Sequence, residues 1–118
     1  MKLEISLQAH ADVEECLFWS AKSFGIPAAR RYQKLIFVAL EEICQTGKSP
    51  NSGFRLGIPP ELQFYHLRHS RKKAAIEGIV VKRPRHFVVY RRGEDEVIQI
   101  IRILHDSMDI TKQLEEES

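Results

Sequence analysis

Hydrophobic and polar positions alternate at the start of the chain, with Leu3, Ile5 and Leu7 separated by Glu4 and Ser6 and flanked by Lys2 and Gln8. A period of two puts these side chains on one face, so the segment predicts a first strand near a sheet edge. The period then changes. Val13, Cys16, Leu17, Ser20 and Phe24 recur at steps of three and four, which predicts a helix ended by Gly25. Pro27 suits the first turn of a second helix, whose apolar stripe is Ala28, Tyr32, Leu35, Ile36, Ala39 and Ile43, up to Gly47. So short a connection makes the two helices an antiparallel hairpin. Phe18, Trp19, Phe37 and Cys44 lie off these stripes. Either each helix packs on both the sheet and its sister helix, or these side chains form a contact face for another chain.

Residues 48–60 hold Pro50, Asn51, Gly53, Gly57, Pro59 and Pro60 and read as a loop. Strand patterns return at 62–69, 79–82, 86–92 and 97–104. Asp106 or Ser107 is suited to cap a short last helix containing Met108, Ile110 and Leu114, with Asp109 in its first turn. The expected fold class is α+β: an N-terminal strand, an antiparallel helical hairpin, an antiparallel sheet of about three further strands and a short C-terminal helix. His86 to Tyr90 and Val97 to Leu104 are apolar at both parities, so both faces of these strands require burial. Two helices cover one face only. The other is expected to be covered by the last helix, by loops or by a partner, which predicts a chain that lives in a complex.

At 118 residues, 43% hydrophobic and 29% charged, the chain fits a single domain, 1–118, able to bury a core without staples. Nothing approaches the ~18 consecutive apolar residues of a membrane span or the apolar core of a signal peptide, so a cytoplasmic protein with no membrane partner is expected. Cys16 and Cys44 fall about 12 Å apart along the hairpin, at ~1.5 Å of rise per residue, too far for a disulfide.

The net charge of +2 conceals a strong asymmetry. Residues 1–53 balance, residues 54–92 carry ten cations against Glu61 and Glu77, and residues 93–118 carry eight anions against Arg102 and Lys112. The middle block contains Arg71-Lys72-Lys73, Lys82-Arg83-Pro84-Arg85-His86 and Arg91-Arg92. Arg71 to Lys73 alone fits a solvated turn. The Lys82 to Arg92 set sits on a strand whose alternation puts Arg85 with Phe87 and His86 with Val88, and basic groups fixed this way suit phosphates or an acidic protein surface.

No Gly-rich phosphate loop, CxxC pair, HExxH or GxSxG motif is present. His66 and His69, three apart on a predicted strand, point to opposite faces, and His105 near Asp106 and Asp109 reads as a capping cluster. No metal and no cofactor is expected.

The segments Pro84-Arg85-His86-Phe87-Val88-Val89-Tyr90-Arg91, Val97 to Arg102 and Ile103-Leu104-His105-Asp106-Ser107-Met108-Asp109-Ile110 resemble the closing part of ParE toxins in the RelE/ParE toxin superfamily. Ala11-Asp12-Val13, the Gly25 break, and Pro50 with Gly53 extend the resemblance over nearly the whole chain, its most specific piece being 102–109. Segment 62–81 looks like an expansion of the hairpin usual there.

The resemblance implies the toxin of a type II toxin–antitoxin pair, bound by a cognate ParD-like antitoxin, with plasmid stabilisation among its expected associations. RelE-like members cut mRNA on the ribosome, whereas ParE-like members inhibit DNA gyrase. RelE-like cleavage uses sheet cations with an arginine and usually a tyrosine near the C-terminus. Here the last tyrosine is Tyr90, and the corresponding tail carries Asp106 and Asp109. The expected function is therefore non-enzymatic gyrase inhibition, with no catalytic residue and no sequence-specific nucleic-acid binding. The alternatives are an mRNA interferase, with Arg85, His86 and His105 as a weaker acid–base set, and an inactive interaction module. Target-binding candidates are Arg83, Arg85, His86, Arg91, Arg92, His105, Asp106, Met108 and Asp109; antitoxin-binding candidates are Trp19, Phe37, Phe87, Val89, Ile98 and Ile100.

Overall fold

A computed structural model describes residues 2–46 and 61–107. In order, the elements are β1 (Lys2–Ile5), α1 (Leu7–Phe24), α2 (Ile26–Thr46), β2 (Gln63–His66), a 3-10 turn (Leu67–Ser70), β3 (His86–Arg92) and β4 (Val97–His105). The strands form one sheet in the order β1-β4-β3-β2. β2, β3 and β4 are antiparallel, but β1 joins parallel to β4, so the sheet is mixed rather than wholly antiparallel. The intervening helical hairpin supplies the crossover that a parallel neighbour requires.

Ser6 ends β1 two residues before the alternation does. Its hydroxyl accepts Ala9 N–H at 3.0 Å as the helix cap and donates to the Ile101 carbonyl at 2.6 Å, which ties the start of α1 to β4. Leu7 thus belongs to the first helical turn and is 84% exposed, not on the strand's buried face. Gly25 separates the helices at φ 94° and ψ 166°, a conformation open essentially only to glycine.

The hairpin lies on one face of the sheet. Ala9 and Cys16 of α1, and Leu35, Ile36, Ala39, Leu40 and Ile43 of α2, bury against Val88, Tyr90, Ile98, Ile100 and Ile103. Phe64, Phe87, Val89 and Leu104 form a second buried cluster on the opposite face. A bulge reconciles this with the apolar residues at both parities: Val89 pairs with Arg102 but Tyr90 with Ile100, so the helix-facing positions of β4 shift from Ile98 and Ile100 to Ile103 and His105. The opposite sheet face is not an open groove, because its four large residues are buried in the isolated chain.

The apolar surface lies on the helices instead. Phe18, Trp19 and Phe37 are 62%, 53% and 56% exposed, so they do not pack on sheet and sister helix. Phe24, expected on the buried stripe, is also exposed, at the hairpin tip. Cys16 and Cys44 are both free thiols.

Segment 79–82 is no strand of the sheet. Ile76 and Ile79 form an isolated bridge, and the chain then runs without regular structure to β3. β2 also ends early, at His66, where the 3-10 turn begins. The predicted loop 48–60 and the short last helix lie outside the described residues. Among the described residues no helix is long and apolar enough to cross a membrane.

Candidate functional site: the β3–β4 end of the sheet

β3 begins and β4 ends at the same end of the sheet, which pairs His86 with His105 and sets their rings edge to face at 5.1 Å. α2 adds Tyr32, the polar member of its buried stripe. The Tyr32 hydroxyl accepts Arg85 N–H at 3.1 Å and lies 2.7 Å from His86 Nδ1. The backbone N–H groups of Arg85 and His86 both point at the hydroxyl oxygen, so its acceptor sites are taken and it donates its own proton to Nδ1, which places the imidazole proton on Nε2. Burial, reinforced by the nearby His105, pushes the His86 pKa down from 6.5 to about 4, so the ring is neutral at pH 7.

Cys16 Sγ approaches the same Nδ1 at 3.8 Å. It is no thiolate: burial first, then the charges of Asp12 and Glu15, push the thiol up to about 12. Burial likewise raises the Tyr32 hydroxyl well above its ordinary value. Cys16, Tyr32 and His86 therefore carry no charge at neutral pH.

An outer layer of charge surrounds it. Asp106 accepts Arg85 Nε at 3.0 Å and His66 Nε2 at 3.2 Å, while Asp106 N–H donates to the Arg85 carbonyl at 2.8 Å. His66 Nδ1 accepts Arg68 N–H, which fixes the proton on Nε2 facing Asp106. Burial alone would raise the Asp106 pKa, but the hydrogen bonds from His66 and Arg85 outweigh it and hold the carboxyl below its usual value. His105 Nδ1 lies 3.8 Å from Asp106 but accepts Ser107 N–H at 3.1 Å, so in the neutral ring this nitrogen carries no proton for Asp106.

Asp12 of α1 forms a separate and drier pair. It accepts Arg102 Nε at 2.8 Å, Arg102 Nη2 at 3.0 Å and Ile103 N–H at 2.9 Å, with both side chains only 13–14% exposed. This fork fixes α1 against β4 beside the bulge.

The cluster opens into a groove of about 1150 Å³ between the hairpin and segment 79–85. Arg83, Arg85, His86 and His105 line it, with Trp19 on the helical wall, and Asp106 adjoins it. Arg91 and Arg92 stand at the far end of β3, roughly 20 Å away at ~3.3 Å per residue, where Arg91 Nε donates to Gln99. They belong to a different surface. Arg71 donates to the Lys82 carbonyl and Lys73 pairs with Glu42, so these cations brace the turn they occupy.

Met108 and Asp109 lie outside the described residues. Phe37 is on the exposed side of α2, away from these groove-lining side chains. Of the antitoxin-binding candidates on the strands, Phe87 and Val89 are buried in the second cluster and Ile98 and Ile100 in the main core. Their side chains are closed to a partner in the folded chain, because each face is already packed. The sequence reading passed over Tyr32, His66, Asp12 and Cys16 as site members. A hydroxyl inside an otherwise apolar helical stripe was the available signal for Tyr32; His66 had none, because its partner is 40 residues away.

The sequence profile described as "ParE toxin of type II toxin-antitoxin system, parDE" matches residues 3–110. Among solved structures, a chain of the "Chromosomal ParDE TA system from P. aeruginosa" superposes with a TM-score of 0.62 at 19% identity, covering 89% of this chain and 95% of that one. That identity is a likeness of fold. No curated protein matches the sequence.

Proposed function

This chain belongs to the ParE toxin family of type II toxin–antitoxin systems, and from that premise we propose that it is a cytoplasmic toxin that inhibits DNA gyrase by binding and is neutralised by a cognate antitoxin. The carrying observation is the pairing already complete at the sheet end. Arg85 and Asp106 hold each other, and Tyr32 occupies Nδ1 of a neutral His86. At that point a nuclease would need an imidazole free to exchange its proton beside an arginine not already paired. A rigid recognition surface needs neither.

Arg83 and Arg85, with His86, His105 and Asp106 beneath them, are the target-facing set in this reading, and Trp19 and Phe37 the antitoxin-facing set. Arg91 and Arg92 form a second basic surface with a separate role in target contact, and Met108 and Asp109 are assigned to the target-facing side on sequence alone. The adjacency of His86 and His105 favours one rival, ribosome-dependent mRNA cleavage. Purified protein assayed in parallel for inhibition of gyrase supercoiling and for mRNA cleavage on ribosomes separates them. Supercoiling inhibition without cleavage is expected. Cleavage without gyrase inhibition overturns the reading, and neither activity identifies an inactive interaction module.

A further inference from the structure

The groove, at about 1150 Å³, exceeds the ~1,000 Å³ upper range of small-molecule pockets and suits a chain segment. The helical hairpin forms one wall, and segment 79–85 lines the other. That segment starts from a two-residue turn. Ile76 and Ile79 exchange both backbone hydrogen bonds, at 3.0 and 2.9 Å, across Glu77 and Gly78 at φ 51° and 78°. Positive φ at both central residues is the hairpin turn that launches two paired strands.

Only one strand's worth of pairing follows. On the near side residues 71–74 turn and Ala74 N–H bonds back to Ser70, so none of the described residues runs beside Val80 and Val81 as a paired strand. Their N–H and C=O groups make no hydrogen bond to any described residue. Two β-branched residues with free backbone groups thus sit at the lip of a groove. Positive charge also predominates there. Arg31, Lys82 and Arg83 line the groove with no ion pair among the described residues, against the carboxylate of Glu15, while Asp12 is neutralised by Arg102.

We propose that this groove is a strand-addition site for an extended partner segment alternating apolar and acidic residues. Its backbone pairs with Val80 and Val81, its apolar side chains cover Trp19 and Phe24, and its carboxylates meet Arg31, Lys82 and Arg83. The proposal rests on and deepens the toxin–antitoxin reading, in which the antitoxin supplies the segment. Its test uses no antitoxin and no gyrase, so the two fail separately.

Trp19 is the chain's single tryptophan and reports on the groove directly. The probe is a capped peptide of about eight residues alternating valine with glutamate, roughly 26 Å long when extended. Titration is expected to shift Trp19 emission to shorter wavelength and to slow amide exchange at Val80 and Val81. Replacing glutamate by lysine, or N-methylating the peptide on its pairing edge, is expected to weaken binding at least tenfold, as is Arg83→Glu. The N-methylated peptide leaves the protein untouched, so its effect does not depend on a variant folding. Equal affinity for the three peptides, no exchange protection at Val80 and Val81, or no response of Trp19 overturns the proposal. The same Trp19 shift from oligouridylate but not from the peptide reassigns the groove to nucleic acid.

Discussion

Tyr32 of α2 and His86 of β3 meet at 2.7 Å across 54 residues of sequence, and the hydroxyl that holds the imidazole also holds the backbone of Arg85 at 3.1 Å. One oxygen therefore joins the hairpin to the strand that carries the basic set. It fixes both the tautomer of His86 and the point at which the chain enters β3.

Tyr32→Phe removes that oxygen and leaves two partners unsatisfied, His86 Nδ1 and Arg85 N–H. A buried donor or acceptor left unpaired costs about 1–3 kcal/mol. The expected result is a loss of that size in urea denaturation. Because the hydroxyl donates to the neutral ring, its removal also raises the His86 pKa above about 4, which NMR titration of the imidazole detects.

Stability should depend on pH through the same ring. The unfolded chain protonates His86 near 6.5, whereas the folded chain holds it neutral down to about 4. Between these values the unfolded state binds more protons, so stability falls as pH drops through the window. The full effect is at most roughly 3 kcal/mol, at 1.36 kcal/mol per unit. Urea midpoints from pH 7 to 4 should fall more steeply for the native chain than for His86→Gln. Asp106 has the same sign, but its pKa is lowered below the usual 3.8, so its contribution is lost only below the window.

Local periodicity carried the elements well, because a strand or helix writes its period into neighbouring residues. The hairpin stripe Leu35, Ile36, Ala39 and Ile43 and the alternation Arg85/Phe87 against His86/Val88 are of this kind. Three features were not local. The parallel docking of β1 on β4 joins Lys2 to Val97, and no nearby residue encodes it. The bulge at Val89/Tyr90 switches the helix-facing parity of β4 partway along the strand, so parity alone does not say which of its apolar residues meet the hairpin. The cluster of Tyr32, His66, His86, His105 and Asp106 draws on four segments, and only the last three names fall within the family-like stretch.

The two aspartate–arginine pairs should differ sharply in worth. Asp12 and Arg102 are 13% and 14% exposed, and Asp12 also holds Ile103 N–H. Asp12→Ala removes a two-point fork from Arg102 and the acceptor of the Ile103 N–H, so it is expected to cost about 3 kcal/mol. Asp106 and Arg85 are 29% and 57% exposed, so Asp106→Ala should cost only about 1 kcal/mol. Chemical denaturation of both variants checks the ordering, and equal losses would contradict it.

Gly25 sits at φ 94° with ψ 166°, where any side chain is strained. A Cβ there would meet nothing closer than Pro27 Cδ at 3.8 Å, so the penalty of Gly25→Ala is conformational rather than steric. A loss of about 1–3 kcal/mol is expected, without change in the helix content seen by circular dichroism.

Trp19 and Phe37 test whether the exposed helical surface is a contact face. Each is more than half exposed, so Trp19→Ser and Phe37→Ser should leave the melting temperature almost unchanged. A large aromatic side chain buried on association is, by contrast, the usual anchor of an interface, and its loss weakens binding by at least about tenfold, or 1.4 kcal/mol. The expected outcome is a chain of native stability that still arrests growth but is no longer rescued by co-expressed antitoxin. Trp19 also lines the groove, whereas Phe37 does not. If Trp19→Ser abolishes rescue and Phe37→Ser leaves it intact, the antitoxin is confined to the groove side of the hairpin; loss of rescue in both places it across the exposed surface of both helices.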